Sequence, residues 1–143
     1  MAEQEFKVRF MTEFPPEFLR AARKLYLENA WIDENASPDF PRNAFAGSFL
    51  VAAAFAPDGR LAGVGRSLSD GVSDAYIQDV MTAKEFRRRG VGKLVITALV
   101  EELKRRGIDW IGLVGVPGTE KFYASCGLVS APGHTLWMAE EER

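Results

Sequence analysis

The sequence has few of the residues that hold a fold together covalently or through a metal. Its 143 residues include a single cysteine, Cys126, and a single histidine, His134, so we expect neither an internal disulfide nor a conventional zinc site. The longest apolar run is the eight residues from 49 to 56, far short of the roughly 20 that cross a bilayer. The acidic N-terminus lacks the apolar core of a signal peptide. We therefore expect a cytoplasmic protein with no metal and no membrane partner.

The sequence also lacks a surplus of basic residues. Eighteen Lys and Arg oppose twenty Asp and Glu, which gives a formal net charge of −2. Proteins that bind nucleic acid usually carry positive charge interleaved with aromatic residues, so no nucleic-acid partner is expected. Hydrophobic residues at 47% and charged residues at 27% are ordinary for a globular protein and exclude a disordered chain. The length fits a single domain over residues 1–143.

The apolar periodicity predicts an α/β domain. Strict alternation over residues 4–10 predicts a half-buried strand, and Pro15-Pro16 opens a helix that runs to about Asn29. Turn signals at 57–59 and 70–71 separate three stretches that predict an antiparallel meander. The remaining predicted elements form a strand–helix–strand crossover and its continuation. After the first strand and helix, the predicted strands lie at 49–55, 61–69, 75–82, 108–114 and 134–138, and the predicted helices lie at 90–106 and 117–125.

Residues 79–94 carry the clearest chemical signal. A strand ends there, a basic loop with Gly90 and Gly92 follows, and a long amphipathic helix begins. The free N–H groups and the dipole of a helix N-terminus favour anions, and glycine lets the backbone approach a ligand closely. The full positive charges in this stretch are those of Arg87, Arg88, Arg89 and Lys93. These features predict an anion cradle of the kind that holds a pyrophosphate.

Two familiar phosphate-binding loops are excluded by named residues. A P-loop requires Gly-x-x-x-x-Gly-Lys-Ser/Thr, but Leu94 follows Lys93 and the first glycine is absent. Without that hydroxyl there is no magnesium ligand, so nucleotide hydrolysis is not expected. A Rossmann fingerprint requires a third glycine at the position of Val95.

The remaining pattern, Arg87-x-x-Gly90-x-Gly92, resembles the signature of the GCN5-related N-acetyltransferase (GNAT) superfamily, where this loop grips the pyrophosphate of coenzyme A. Two further segments add to the resemblance. Residues 80–82 (Val-Met-Thr) stand where the family's fourth strand pairs with pantetheine through its backbone. Residues 122–128 (Phe-Tyr-Ala-Ser-Cys-Gly-Leu) are similar to the family's Phe-Tyr-x-x-x-Gly-Phe helix end. The three motifs occur in the family's order, and the likeness covers nearly the whole chain.

This resemblance implies the acyl-CoA N-acyltransferase fold: a mixed, strongly twisted sheet of about six to seven strands, flanked by helices, with a splayed gap between the fourth and fifth strands. It implies transfer of the acetyl group of acetyl-CoA to a primary amine of a small molecule or protein, by direct attack in a ternary complex. A homodimer is compatible with the family. The cofactor-binding residues that it implies are Val80, Met81, Thr82, Arg87, Arg88, Arg89, Gly90, Val91, Gly92 and Lys93.

Proton transfer is only partly assigned by the resemblance. Tyr123 matches the family's general acid for the leaving thiolate. Some members have a glutamate base where this chain has Tyr76. Strand alternation places Tyr76 and Gln78 on the face of Val80, and Asp79 on the other, unless a bulge intervenes. The base is therefore left open between a water chain through Tyr76 or Gln78 and, as a fallback, Asp79.

Two other features bear on function. The segment 31–45, after the first helix, is a candidate wall for the acceptor site in the resemblance. Val116 stands where many relatives have an asparagine that contacts coenzyme A. Because that asparagine and the glutamate base are both missing, an alternative function is a non-catalytic module of the same fold that binds or senses coenzyme A.

Overall fold

The first four strands form an antiparallel meander, and the fifth joins it in parallel after a helical crossover. The computed structural model describes residues 5–140. Its strands, in sheet order, are β1 (Lys7–Phe10), β2 (Leu50–Phe55), β3 (Leu61–Ser69), β4 (Asp74–Thr82) and β5 (Trp110–Gly112). Its α-helices are α1 (Pro16–Glu28), α2 (Phe40–Ala46), α3 (Val91–Arg105) and α4 (Glu120–Ser125). None of the described helices is both long enough and apolar enough to span a membrane.

Helices cover both faces of the sheet, and glycines set how closely α3 approaches β3. A Cβ on Gly63 would lie 2.6 Å from Val91 Cγ1, and one on Gly65 would lie 2.7 Å from Val95 Cγ1. A strand directs successive side chains to opposite faces, and Arg66 accordingly reaches the carbonyl of Ala44 on α2, at 3.4 Å. The α2 side and the α3 side are therefore opposite layers, with the core between each layer and the sheet.

A β-bulge interrupts β4 where it faces the middle of β3. Val64 pairs with Met81, but Arg66 pairs with Gln78, so two residues of β4 lie opposite one residue of β3. The extra residue is accommodated at Asp79, whose φ is 55°. This is the exception that the sequence analysis allowed for: beyond Gln78 the bulge shifts the facing of the side chains by one residue, so simple alternation does not hold there.

β4 and β5 separate soon after they pair. Their parallel ladder joins Asp74 to Trp110, Ala75 to Ile111 and Tyr76 to Gly112, and within residues 5–140 it goes no further. The outer edge of β4 is therefore free of a neighbouring strand from residue 77 to residue 82. This confirms the predicted gap between the fourth and fifth strands.

The described sheet has five strands, fewer than the six or seven expected. The predicted strand at 134–138 is wrong: this segment pairs with no strand of the described residues, and Trp137 is 88% exposed. A turn precedes it, in which the His134 N–H donates to the Ala131 carbonyl and Gly133 has a φ of 81°. An alternating pattern shows that a segment is suited to a strand, but the segment forms one only where the fold brings it alongside the edge of a sheet. Residue 4 of the first predicted strand lies outside the described residues.

One buried hydroxyl gives a test of this packing. Ser67 is fully buried, and its Oγ has no hydrogen-bond partner among the described residues. An unsatisfied buried hydroxyl costs roughly 1–3 kcal/mol, so Ser67→Ala should raise the free energy of unfolding by about 1 kcal/mol. Urea denaturation measures this change. The matched control is Ser48→Ala, which should lower stability because Ser48 Oγ donates to the Ala44 carbonyl at 2.7 Å. A loss of stability in Ser67→Ala would contradict the packing described.

Candidate active site

The gap between β4 and β5 opens onto a cleft of about 970 Å³, within the usual size of small-molecule and cofactor sites. One wall is β4, the opposite wall is α4 with the segment before it, and the start of α3 closes one end. The polar and glycine residues that line it are Asn29, Tyr76, Gln78, Asp79, Thr82, Arg87, Arg88, Gly90, Gly92, Lys93, Thr119, Tyr123 and Ser125.

The N-terminus of α3 faces this cleft. Its N-cap is Gly90 in the left-handed conformation (φ 82°), and no described side chain caps its free N–H groups. Arg88 is also left-handed, with a φ of 65°, so the loop curls before the helix begins. Curled backbone of this kind and a helix N-terminus both direct N–H groups at an anion. Arg87, Arg88 and Lys93 line the same end of the cleft and add full positive charge.

Close packing between α3 and α4 sets the position of Tyr123. A Cβ on Gly92 would lie 3.0 Å from Phe122 Cζ, so the Phe122 ring rests on the first turn of α3. Tyr123 contacts that ring edge-on, with 4.9 Å between ring centroids. A Cβ on Gly115 would lie 3.3 Å from the Tyr123 ring on another side. The Tyr123 side chain is therefore held between α4 and the segment that follows β5.

The environment of Tyr123 keeps its hydroxyl protonated. Partial burial, and secondarily the nearby Cys126 thiol, raise the pKa of Tyr123 above its ordinary value. A phenol with a raised pKa remains a proton donor throughout the neutral range. The side chain thus has the protonation state that a general acid requires.

Most of the predicted site residues converge on the cleft, but Met81 and Arg89 do not line it. Met81 is 1% exposed, so its side chain belongs to the core. Its main chain faces β3: the Ala83 N–H donates to the Ala62 carbonyl, and alternation along an antiparallel ladder turns Met81 the same way. The residues that do meet at the cleft are Val80, Thr82, Arg87, Arg88, Gly90, Val91, Gly92, Lys93 and Tyr123.

Arg89 holds the loop to the N-terminal strand instead. Its guanidinium pairs with the Glu5 carboxylate and lies 5.0 Å from the centroid of the Phe6 ring. It also lies 5.8 Å from the centroid of the Phe86 ring. The charge and the planar face of Arg89 are thus engaged away from the cleft, and its role in cofactor binding stays a prediction.

The candidate bases differ in the hydrogen bonds that their side chains already accept. Asp79 lines the cleft, but its Oδ2 accepts hydrogen bonds from Arg66 Nε at 2.7 Å and from the Tyr26 hydroxyl at 2.8 Å. Gln78 accepts from Arg66 Nη2 at 3.0 Å. Tyr76 also lines the cleft. The bulge brings Asp79 and Gln78 to the same side of the sheet, where sequence alternation separated them.

Comparison with known proteins identifies the family. Residues 7–128 match the acetyltransferase (GNAT) family. The chain belongs to the GNAT family. GCN5-related N-acetyltransferase 1 of Arabidopsis thaliana chloroplasts is 40% identical over 67 residues, which cover 47% of this chain and 34% of that protein. Serotonin N-acetyltransferase 2 of Oryza sativa subsp. japonica is 31% identical over 81 residues, which cover 57% of this chain and 40% of that protein.

The chain thus spans less than half the length of these two curated relatives. Among solved structures, an aminoglycoside acetyltransferase from an uncultured soil metagenomic sample superposes with a TM-score of 0.73. That comparison covers 98% of this chain and 100% of the other, at 19% sequence identity. At this identity the likeness shows the fold alone.

The cleft fits the cofactor that the GNAT family generally uses. Coenzyme A carries a pyrophosphate and an extended amide chain, and these need an anion cradle and a free strand edge, respectively. The start of α3 supplies the first and the outer edge of β4 supplies the second. Within residues 5–140, no group of three or more His, Cys, Asp or Glu side chains is arranged to hold a metal ion.

Two functional residues were missed by the sequence analysis: Asn29, which lines the cleft, and Arg66, which does not. Asn29, at the end of α1, accepts a long 3.4 Å contact from Arg87 Nη2 and donates to the Leu25 carbonyl at 2.8 Å. Arg66 lies beneath the bulge, although no motif distinguishes it. Neither residue lies in a recognisable sequence motif. The contacts that connect each of them to the site are made with residues more than ten positions away in the sequence. Of the predicted acceptor wall, Trp31 lines the cleft, whereas Phe45 is buried in the core.

The cradle is tested by reversing its charge. Because a diphosphate is held by charge-assisted hydrogen bonds, Arg88→Glu combined with Lys93→Glu should weaken acetyl-CoA binding by about tenfold or more. Isothermal titration calorimetry measures the dissociation constant. The matched control is Lys104→Glu with Arg105→Glu, which changes net charge equally at the exposed C-terminal end of the same helix. Equal effects from both pairs would mean that overall charge, rather than a local site, governs affinity.

Proposed function

We propose that this protein is an N-acetyltransferase that moves the acetyl group of acetyl-CoA to a primary amine by direct attack within a ternary complex. The observation that carries the proposal is the meeting, in one cleft, of an uncapped helix N-terminus, a free strand edge and a protonated tyrosine. Each of the three answers one requirement of thioester aminolysis: anchoring the cofactor, aligning its thioester and protonating its sulfur.

Cofactor anchoring comes from this chain's backbone as much as from its side chains. The main-chain N–H groups at residues 88–93 receive the diphosphate, with Arg87, Arg88 and Lys93 supplying charge. The free edge of β4 pairs with the amide chain of pantetheine, a form of strand addition. Thr82 already bonds in this outward direction, since its carbonyl accepts a long 3.5 Å contact from Asn29 Nδ2.

The amine nitrogen must lose two protons, one before and one after it attacks the thioester, and the sulfur must gain one. A primary amine of pKa about 10 is mostly protonated at pH 7, and removing its proton costs about 4 kcal/mol. Water held by Tyr76 or Gln78 provides the exit for that proton. As the amine nitrogen bonds to the carbonyl carbon, a main-chain N–H near Val80 stabilises the oxyanion. The C–S bond then breaks, Tyr123 gives its proton to the thiolate, and the remaining extra proton of the nitrogen returns to Tyr123 through water.

The acceptor is proposed as a primary amine of a small molecule or a protein. A relative named for serotonin and a structural neighbour named for aminoglycosides both act on amines that small molecules carry. Trp31 is half-exposed at the cleft and offers an aromatic face to an amine-bearing group. We also propose a cytoplasmic location and, as in many relatives, a homodimer.

A module that binds coenzyme A without turnover is the second candidate. It is favoured by Val116, a cleft residue that offers no amide to the cofactor. It is also favoured by the state of Asp79, the carboxylate among the described residues that line the cleft, because its Oδ2 already accepts two hydrogen bonds.

A panel of amines separates the two functions. The protein is incubated with acetyl-CoA and each of a set of arylalkylamines, polyamines, aminoglycosides and lysine peptides, and free thiol is measured. Calorimetry with acetyl-CoA is run in parallel. Thiol release above the amine-free rate supports the acetyltransferase. Binding without release across the panel supports the module, and absence of binding overturns both.

The role of Tyr123 is tested by removing its hydroxyl. Tyr123→Phe should lower kcat by about a hundredfold or more, the usual scale for a general acid, while the affinity for acetyl-CoA changes little. Because the pKa of Tyr123 is raised, wild-type kcat should fall only above the ordinary tyrosine range, and Tyr123→Phe should lack that alkaline decline. A pH profile of kcat measures both effects. The comparison is Tyr76→Phe, which removes a tyrosine hydroxyl from β4 on the opposite wall of the cleft. An unchanged rate in Tyr123→Phe would show that Tyr123 is not the general acid.

A further inference from the structure

A cluster of polar side chains lies directly beneath the bulge of β4, and the proposed chemistry uses only one of its members, Gln78. This bulge cluster consists of Tyr26, Arg66, Gln78 and Asp79. Arg66 donates through Nε to Asp79 Oδ2 at 2.7 Å and through Nη2 to Gln78 Oε1 at 3.0 Å. The Tyr26 hydroxyl donates to the same Asp79 oxygen at 2.8 Å.

The ion pair at the centre of the cluster is largely shielded from water. The side chains of Arg66 and Asp79 are 14% and 17% exposed. At such burial the cost of removing both charges from water offsets much of their attraction, so the pair is a poor device for stability alone. Its effect is instead on geometry, because a guanidinium fork fixes the direction of each group that it bonds.

The backbone at Asp79 needs such fixing. Its φ of 55° lies in the left-handed region, which residues with a side chain disfavour and which aspartate and asparagine tolerate best. The guanidinium that holds it is itself anchored on α2 and just beyond, where Arg66 Nη1 makes 3.4 Å contacts to the Ala44 carbonyl and to Ser48 Oγ. The bulge is thus tied to β3, to α1 through Tyr26, and to the α2 region.

The bulge decides where the next peptide points. Gly65, opposite the bulge, turns its main chain toward β2, because the Ala62 carbonyl bonds to β4 and residues along a strand alternate. Neither Asp79 nor Val80 therefore finds a main-chain partner in Gly65. The Val80 side chain packs on the α3 side, where its Cγ2 would lie 3.2 Å from a Cβ on Gly65. Its peptide group stands at the middle of the free edge of β4.

We infer that Arg66 is a positioning residue: its guanidinium, by holding Asp79 and Gln78, sets the bulge so that the Val80 N–H faces the cleft. This inference rests on the proposed function, which uses that N–H for the thioester oxygen. It also gives Asp79 a role other than that of base. The Asp79 carboxylate is the acceptor that locks the bulge, and taking a proton on Oδ2 would break two hydrogen bonds.

The protonation of Tyr26 agrees with this role. Burial, and next the Asp79 carboxylate, raise the pKa of Tyr26 well above its ordinary value. Its hydroxyl therefore stays a donor to Asp79 at any pH at which the protein would work. The two donors and the one acceptor oxygen form a fixed unit rather than a site of proton exchange.

The experiment replaces the fork and keeps the charge. Arg66→Lys preserves a cation beside Asp79, but an ammonium cannot reproduce the planar two-point contact with Asp79 and Gln78. Its control is Arg60→Lys, the same replacement at an exposed arginine paired with Asp58 and Glu85. For each variant we would measure the Val80 amide resonance in the cofactor-free protein, the melting temperature, the dissociation constant for acetyl-CoA and kcat.

Arg66→Lys should shift the Val80 amide resonance and lower kcat by about tenfold, since a single mispositioned oxyanion donor costs at least that much. Its melting temperature and acetyl-CoA affinity should stay close to those of Arg60→Lys. An unchanged Val80 resonance, or an unchanged kcat, would overturn the positioning role. If the wild-type protein turns over no amine, the proposed function is overturned instead. The Val80 amide resonance of Arg66→Lys would still show whether Arg66 fixes the conformation of the bulge.

Asp79→Asn separates positioning from base catalysis. Asparagine tolerates the left-handed conformation and keeps an acceptor oxygen for Arg66 and Tyr26. We expect the acid limb of the kcat pH profile to keep its position, whatever the height of the profile, because no titrating base is removed. Loss of activity together with loss of that acid limb would show Asp79 to be the base and overturn the inference.

Discussion

The early end of the parallel ladder between β4 and β5 is the constraint on which the site depends. Pairing stops at Tyr76 and Gly112, and beyond that point the outward-facing peptide groups of β4 have no neighbouring strand among residues 5–140. Unpaired backbone groups require a partner from water or from a ligand. A chain of amides can fill that edge, so the gap that weakens the sheet also creates its binding surface. The cleft, its basic end and its tyrosine are arranged around this edge.

Three consecutive arginines illustrate how neighbouring residues of one type take different roles. Arg87 and Arg88 line the cleft, whereas Arg89 pairs with Glu5 and packs on aromatic rings. The left-handed turn at Arg88 separates them, because it directs successive side chains to different sides of the loop. The positive charge of the loop is therefore divided between receiving an anion and attaching the loop to β1.

The sequence was sufficient wherever a feature depends on local spacing. The stripe of apolar residues along α3 and the paired glycines before it predicted the helix and its anion-binding end, because both arise within one segment. The bulge at Asp79 was not predictable, since it depends on Arg66 in β3 and Tyr26 in α1. The strand expected at 134–138 failed for the converse reason: its pattern is local, but pairing needs a partner that no local pattern supplies.

The missing side chain at Gly92 has an effect on the far wall of the cleft. Because nothing projects from that position, the Phe122 ring settles on the first turn of α3 and Tyr123 settles against Phe122. The position of the Tyr123 hydroxyl is therefore set by the same helical turn that would hold the diphosphate. The groups proposed to contact the diphosphate and the thioester of the cofactor are therefore both positioned by the first turn of α3. The distance between them depends on Gly92 having a hydrogen atom where other residues have a Cβ.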